Sequence, residues 1–144
     1  MKILTTRYSL KHLVYGLLAL GFLVRASMVL SVPLDSLGGA VSTWFMIDDS
    51  YYCLNIAKNI AEGNGWTHDG VNLTNGFQPL YVFMMVPVYW VVGVSDLITP
   101  IYVALLLLAL FHVGSGWWIY LILKHLTRRE DVSVLGSGFF LLSP

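Results

Sequence analysis

"IDDSYYCLNIAKNIAEGNG", residues 47–65, is a helix-forming stretch too short and too polar to cross a membrane, and it stands between runs that are long and apolar. After Asp48, apolar or aromatic side chains recur at Tyr52, Cys53, Ile56, Ala57, Ile60 and Ala61. That is one stripe of a 3.6-residue period. Asn55, Lys58, Asn59 and Glu62 fall largely on other faces. Gly63 is placed to end the helix in a left-handed turn, and Gly65 follows it. The pattern predicts an amphipathic interfacial helix over 49–62, lying at a membrane surface with its stripe toward lipid or a helix bundle.

On the N-terminal side, residues 13–32 form an apolar run of about 20 residues, enough at ~1.5 Å per residue to span a ~30 Å hydrocarbon core. Lys2, Arg7 and Lys11 precede it, which argues for a cytoplasmic N-terminus and puts 33–78 in an extracytoplasmic loop. A cleaved signal peptide is the weaker reading, because Arg25 stands where a cleavage region would begin and apolar character resumes to Leu34. On the C-terminal side a second span is expected over 79–98, a third over 99–123, and the start of a fourth over 132–144. The fold class expected is therefore all-α integral membrane and multi-pass. It has about three transmembrane helices plus a partial fourth, and an extracytoplasmic loop carrying a juxtamembrane helix. A prokaryotic source would make the location the cell (inner) membrane. The half-length final run suggests the front part of a longer protein.

Composition agrees. The 144 residues are 57% hydrophobic and 11% charged, with mean hydropathy +0.73, against about 25% charged residues in a soluble domain. Eight basic and eight acidic residues cancel, so charge gives no argument for nucleic acid as a partner. Cys53 is the sole cysteine, which excludes an intramolecular disulfide and a multi-cysteine metal site. Five Trp and eight Tyr suit membrane interfaces. Trp117, Trp118 and Tyr120 read as an outer aromatic belt, and Tyr89 with Trp90 as an inner one. One conflict stands. Strict alternation puts Lys124, Arg128 and Arg129 outside, where the positive-inside tendency would not have them.

Asp48 and Asp49 open the interfacial helix. One aspartate suffices as an N-cap, accepting a hydrogen bond from the exposed N–H groups at the positive helix end. Two adjacent carboxylates repel, and capping alone does not account for both. The functional alternatives are a pair that accepts a proton from an incoming hydroxyl, or one that holds a divalent cation such as Mg or Mn. The stretch "GWTHDGVNLTNGFQPLY" that follows is turn-rich at Asp69-Gly70 and Asn75-Gly76 and is bracketed by Trp66 and Phe77. Asn72-Leu73-Thr74 matches a glycosylation acceptor, a weak signal.

Taken together, "DDSYYCLNIAKNIAEGNGWTHDGVNLTNGFQPLY" resembles the first extracytoplasmic loop of GT-C integral-membrane glycosyltransferases. It is similar in particular to bacterial and archaeal relatives of protein mannosyltransferases and lipid A aminoarabinose transferases. The residues that carry the resemblance are Asp48-Asp49, Tyr51-Tyr52, Gly63 to Gly65 and Thr74 to Leu80, over about 35 residues. It implies a polyprenyl-phosphate-linked sugar as donor, and an unknown glycan, lipid or protein as acceptor. It implies hexosyl or pentosyl transfer on the outer membrane face. It assigns the acidic role, as general base or as part of a metal site, to Asp48 or Asp49 without choosing between them. Substrate contacts are expected of Tyr51, Tyr52, His68, Asn75 and Gln78. Arg25, within the first span, and Arg128 and Arg129 are candidate partners of the lipid phosphate, with snorkelling and interface anchoring as the plainer alternatives. His112, mid-span, is expected to make an interhelical hydrogen bond. Family members carry about ten or more spans, so the chain alone is expected to be inactive. A reading from another class is a small non-catalytic membrane subunit whose interfacial helix binds a partner.

Overall fold

The computed structural model describes residues 2–31 and 48–143, with side chains from residue 10 in the first stretch and residue 49 in the second. Residues 32–47, which include the first part of the loop expected over 33–78, and the side chain of Asp48 lie outside the described residues. The described chain is all-helical: α1 (Lys2–Ser31), α2 (Asp48–Glu62), α3 (Pro79–Val92), α4 (Thr99–Thr127) and α5 (Glu130–Leu142). The one β feature among the described residues is an isolated antiparallel bridge between Thr67 and Leu73. Among the described residues two helices are long and apolar enough to cross a membrane, over Leu10–Ser31 and Thr99–Thr127.

Helix boundaries follow local chemistry more than hydropathy. α3 stops at Val92 because Gly93 takes φ +91 and its N–H bonds back to Tyr89 O. Immediately after, Asp96 caps α4. Its Oδ1 accepts the Ile98 and Thr99 N–H groups and its Oδ2 accepts the Thr99 hydroxyl. The helical part of the expected 79–98 span is thus 14 residues, about 21 Å at the helical rise. α4 runs past residue 123 to Thr127, since nothing in "KHLT" breaks a helix.

The chain divides into two compact units, Met1–Val29 with Leu106–Pro144, and Leu30–Leu105. In the first, α1, the later part of α4, and α5 pack as a bundle around Val14, Tyr120 and Val134. Small residues bring α4 and α5 close. The Ser137 hydroxyl donates to Gly116 O at 2.8 Å, and a Cβ added at Gly116 would stand 2.5 Å from Leu141 Cδ2. Trp117 stacks on Tyr15 and Tyr120, and Tyr120 is buried, so these two rings are bundle contacts and not a belt. His112 stacks on Phe140 at 4.4 Å, with its Nε2 buried and unpartnered among the described residues.

In the second unit, α2 packs on α3. The predicted stripe of α2 is the buried one: Cys53, Ile56 and Ala57 are buried, facing Val82, Met85, Val86 and Tyr89, the buried side of α3. Among the described residues the stripe is covered by a helix of the same chain. Tyr89 belongs to this packing and is not a belt residue, whereas Trp90 is exposed. α2 ends as its sequence predicts. Gly63 has φ +88, its N–H bonds to Ile60 O, and the Asn64 N–H reaches Asn59 O. This is the paired bond pattern of a Schellman turn.

A side chain with a Cβ is strained at that φ by roughly 1–2 kcal/mol. Gly63→Val should lower stability by about that amount in chemical denaturation of the purified protein in micelles. An unchanged midpoint would mean that the turn does not end the helix as described.

Candidate functional site

The loop after α2 folds back along that helix, and asparagines that lie off the apolar stripe hold it there. Asn59 is only 7% exposed, and its amide donates to Thr67 O at 2.8 Å and His68 O at 3.0 Å. One turn earlier, Asn55 donates to His68 O at 2.6 Å. One turn further back, the Tyr52 hydroxyl shares a 2.9 Å hydrogen bond with Thr74 Oγ1, and the Tyr52 ring stacks on His68 at 4.6 Å. Cys53 donates to Gln78 Oε1 at 3.2 Å. Residues 52, 55 and 59 recur at helical spacing, so one ridge of α2 carries the loop.

The loop has its own ordering device. Asp69 accepts the Val71 and Asn72 N–H groups on Oδ1 and the Asn72 amide on Oδ2, while Gly70 takes φ +78. The hydrogen bonds from Asn72 and from these backbone groups pull the Asp69 carboxyl down to about 2. Asp69 is therefore a structural carboxylate, charged throughout the physiological range, and is not suited to taking up a proton.

Two clefts flank Asp49 and Tyr52. The larger, about 520 Å³, is lined by Asp49, Tyr51, Tyr52, Asn55, Lys58 and His68, with an apolar floor from Leu54, Tyr89, Leu97 and Ile101. The smaller, about 340 Å³, is lined by Asp49, Tyr52, Cys53, Asn75, Gly76, Phe77 and Gln78. Six of the residues singled out from sequence, Asp49, Tyr51, Tyr52, His68, Asn75 and Gln78, thus border one or both. The Tyr51 hydroxyl is buried without a hydrogen-bond partner, and burial pushes its acidity below that of free tyrosine, raising its pKa. An unpaired buried hydroxyl on a cleft wall is a donor waiting for an acceptor.

The three candidate arginines, Arg25, Arg128 and Arg129, lie in the other unit. Arg25 donates to Leu141 O at 2.8 Å, Ser143 O at 2.7 Å and Gly21 O at 3.3 Å, so its guanidinium satisfies carbonyls at the end of α5. Arg128 and Arg129 form the two-residue link between α4 and α5, where Arg128 has φ +54 and Arg129 pairs with Asp131 at 2.6 Å. Beside them Glu130 accepts from Lys124 and Tyr120. The Lys124 hydrogen bond, with smaller help from Tyr120 and from the charges of Lys124 and Lys11, holds its carboxyl below the usual range.

Sequence reading passed over Asn55, Asn59 and Lys58. The signal for the asparagines was their i, i+4 spacing. The signal for Lys58 was that it is the one Lys or Arg between residues 32 and 98. No group of three or more His, Cys, Asp or Glu side chains gathers among the described residues. No family model, curated protein or solved structure matches the chain.

Asn59→Ala would leave the buried Thr67 carbonyl without its side-chain donor, while His68 O keeps the Asn55 bond, at a cost of roughly 1–3 kcal/mol. Chymotryptic cleavage at Trp66 and Phe77 should accelerate several-fold over wild type. Asn55→Ala, whose His68 acceptor keeps the Asn59 bond, should change the rate less. Equal rates in all three proteins would contradict the anchoring role.

Proposed function

We propose that this chain is the front part of a membrane glycosyltransferase of the GT-C kind, moving a sugar from a polyprenyl-phosphate carrier to an acceptor hydroxyl on the extracytoplasmic face. The observation that carries the reading is the larger cleft. A carboxylate, a partnerless phenol, an amide, an imidazole and a lysine line it above an apolar floor, within the loop whose sequence resembles that family. A cleft of about 520 Å³ falls within the ~300–1,000 Å³ typical of small-molecule sites.

In this reading Asp49 is the general base. The acceptor oxygen attacks the anomeric carbon, its proton passes to the Asp49 carboxylate, and the bond from that carbon to the phosphate oxygen breaks with its electron pair on the lipid phosphate. Tyr51 and Lys58 supply the donor and the positive charge that the departing phosphate requires. The apolar floor suits the carrier's isoprenoid end. Asp48 shares the acidic pair and remains the alternative base.

The test is sugar transfer by membranes holding the full-length protein, given polyprenyl-phosphate-linked sugar, with Asp49→Asn and Asp48→Asn compared to wild type. A positioned base contributes about 10²–10⁴-fold. One of the two variants should lose transfer on that scale while inserting normally. Full activity in both would end the assignment and favour a non-catalytic membrane subunit.

A further inference from the structure

Contacts within the bundle fix where the chain enters and leaves it. α5 runs parallel to α1: Gly138 sits against Leu17, Leu141 against Gly21, and Arg25 reaches Leu141 O and Ser143 O. α5 runs antiparallel to α4: Gly136 sits against Leu123, Ser137 bonds Gly116, and Phe140 stacks on His112. α4 is therefore antiparallel to α1. The last bundled residue of α1, Val29, and the first of α4, Leu106, lie at the same end. The chain between two spans arranged in this way begins and ends on one side of the membrane, and it crosses an even number of times.

We propose that this even number is zero. Residues 32–98 stay on the extracytoplasmic side, α3 does not cross, and the exposed face of α3 rests in the acyl–headgroup boundary of the outer leaflet. α3 is the one apolar helix described between α1 and α4, and its length of about 21 Å falls short of the ~30 Å hydrocarbon core. Residues 32–47 carry Asp35 and the pair Gly38-Gly39, and are fewer than the ~20 that a spanning helix needs.

Charge supports the same topology. Residues 32–98 hold Lys58 against Asp35, Asp48, Asp49, Glu62, Asp69 and Asp96, a balance of 1 − 6 = −5. Lys2, Arg7 and Lys11 precede the first span, and Lys124, Arg128 and Arg129 close the second. With Glu130 and Asp131 they give 6 − 2 = +4. An antiparallel α1 and α4 collect these cations at one end, and the positive-inside tendency makes that end cytoplasmic. The conflict noted from sequence arises only if α3 crosses. Arg128 and Arg129 then lie at the cytoplasmic end of α4, and they do not serve an outer-face phosphate.

Lipid is the partner that fits α3. Leu80, Phe83, Pro87, Trp90 and Val91 share one stripe of the helix and are all exposed, Leu80 to 75% and Val91 to 86%. Trp66 adds to the stripe, edge-on to Phe83 at 6.0 Å. No charged residue occurs from 71 to 95. Pro87 has no N–H, so the Phe83 carbonyl lacks its helical donor; headgroups and water can supply one and hydrocarbon cannot. Six residues, 93–98, join α3 to the span α4, a tether of at most about 20 Å that keeps the helix at the membrane surface. None of this depends on the transferase reading.

The test uses the full-length protein with Cys53→Ala and single cysteines introduced as Asn64→Cys, Ser95→Cys and Arg128→Cys. A membrane-impermeant maleimide should label the first two on intact cells, and the third only after permeabilisation. Labelling of Asn64→Cys and Ser95→Cys from opposite sides, or of both from inside, overturns the topology. For the lipid contact, nitroxides at Phe83→Cys and Trp90→Cys are placed in phosphatidylethanolamine–phosphatidylglycerol vesicles. They should collide more often with oxygen than with a water-soluble nickel chelate, at outer-leaflet depth. Water-like accessibility at both positions overturns the lipid face, and a depth near the bilayer centre overturns the non-crossing helix.

Discussion

The amide of Asn59 is the constraint on which the second unit depends. It is buried, it donates to two successive backbone carbonyls of the loop, and the first of them belongs to the fully buried Thr67, away from water. Because Asn59 sits on the same ridge of α2 as Asn55 and Tyr52, one bond pair sets the register of the loop along the helix. The other contacts, the Tyr52–His68 stack and the Tyr52–Thr74 hydrogen bond, follow from that register. The adjoining side of α2 buries Cys53, Ile56 and Ala57 against α3. A 15-residue helix that is marginal by itself is thereby held from two sides.

The consequence for chemistry is geometric. A loop pinned to the helix that begins with Asp48 and Asp49 brings His68, Asn75 and Gln78 to clefts that Asp49 also borders. Residues far apart in the chain become neighbours because α2 grips the backbone carbonyls of Thr67 and His68 together with the side chains of His68, Thr74 and Gln78. The Tyr51 hydroxyl, which has no hydrogen-bond partner, is left available to a ligand. Rigid support behind a small set of polar groups is what positioned acid–base and electrostatic chemistry requires.

Much of this architecture was legible in the sequence, for identifiable reasons. The limits of α2 follow from a regular apolar stripe and from Gly63, and the first long apolar run is a helix of membrane-spanning length. The end of α3 was misjudged because Leu97 and Ile98 were taken to extend the apolar run across Ser95 and Asp96, whereas the backbone turns at Gly93 and Asp96 caps the next helix. Asn55 and Asn59 were placed only off the apolar stripe, since periodicity separates apolar from polar but does not distinguish water from a backbone carbonyl as the partner. Trp117 and Tyr120 were assigned to lipid for a related reason, because an aromatic ring serves equally as an interface anchor and as a helix–helix contact. The antiparallel relation of α1 and α4 has no local signature at all; it emerges only from the contacts that α5 makes with both.

Hydrogen–deuterium exchange on the wild-type, full-length protein tests the central claim most directly, that residues 64–76 are an ordered wrap on α2. The Thr74 amide bonds Trp66 O, and the Val71 and Asn72 amides bond Asp69. The account predicts slow exchange for these three, with Thr74 approaching the protection of α2 itself. Exchange of the whole loop at the rate of an unstructured peptide would contradict it.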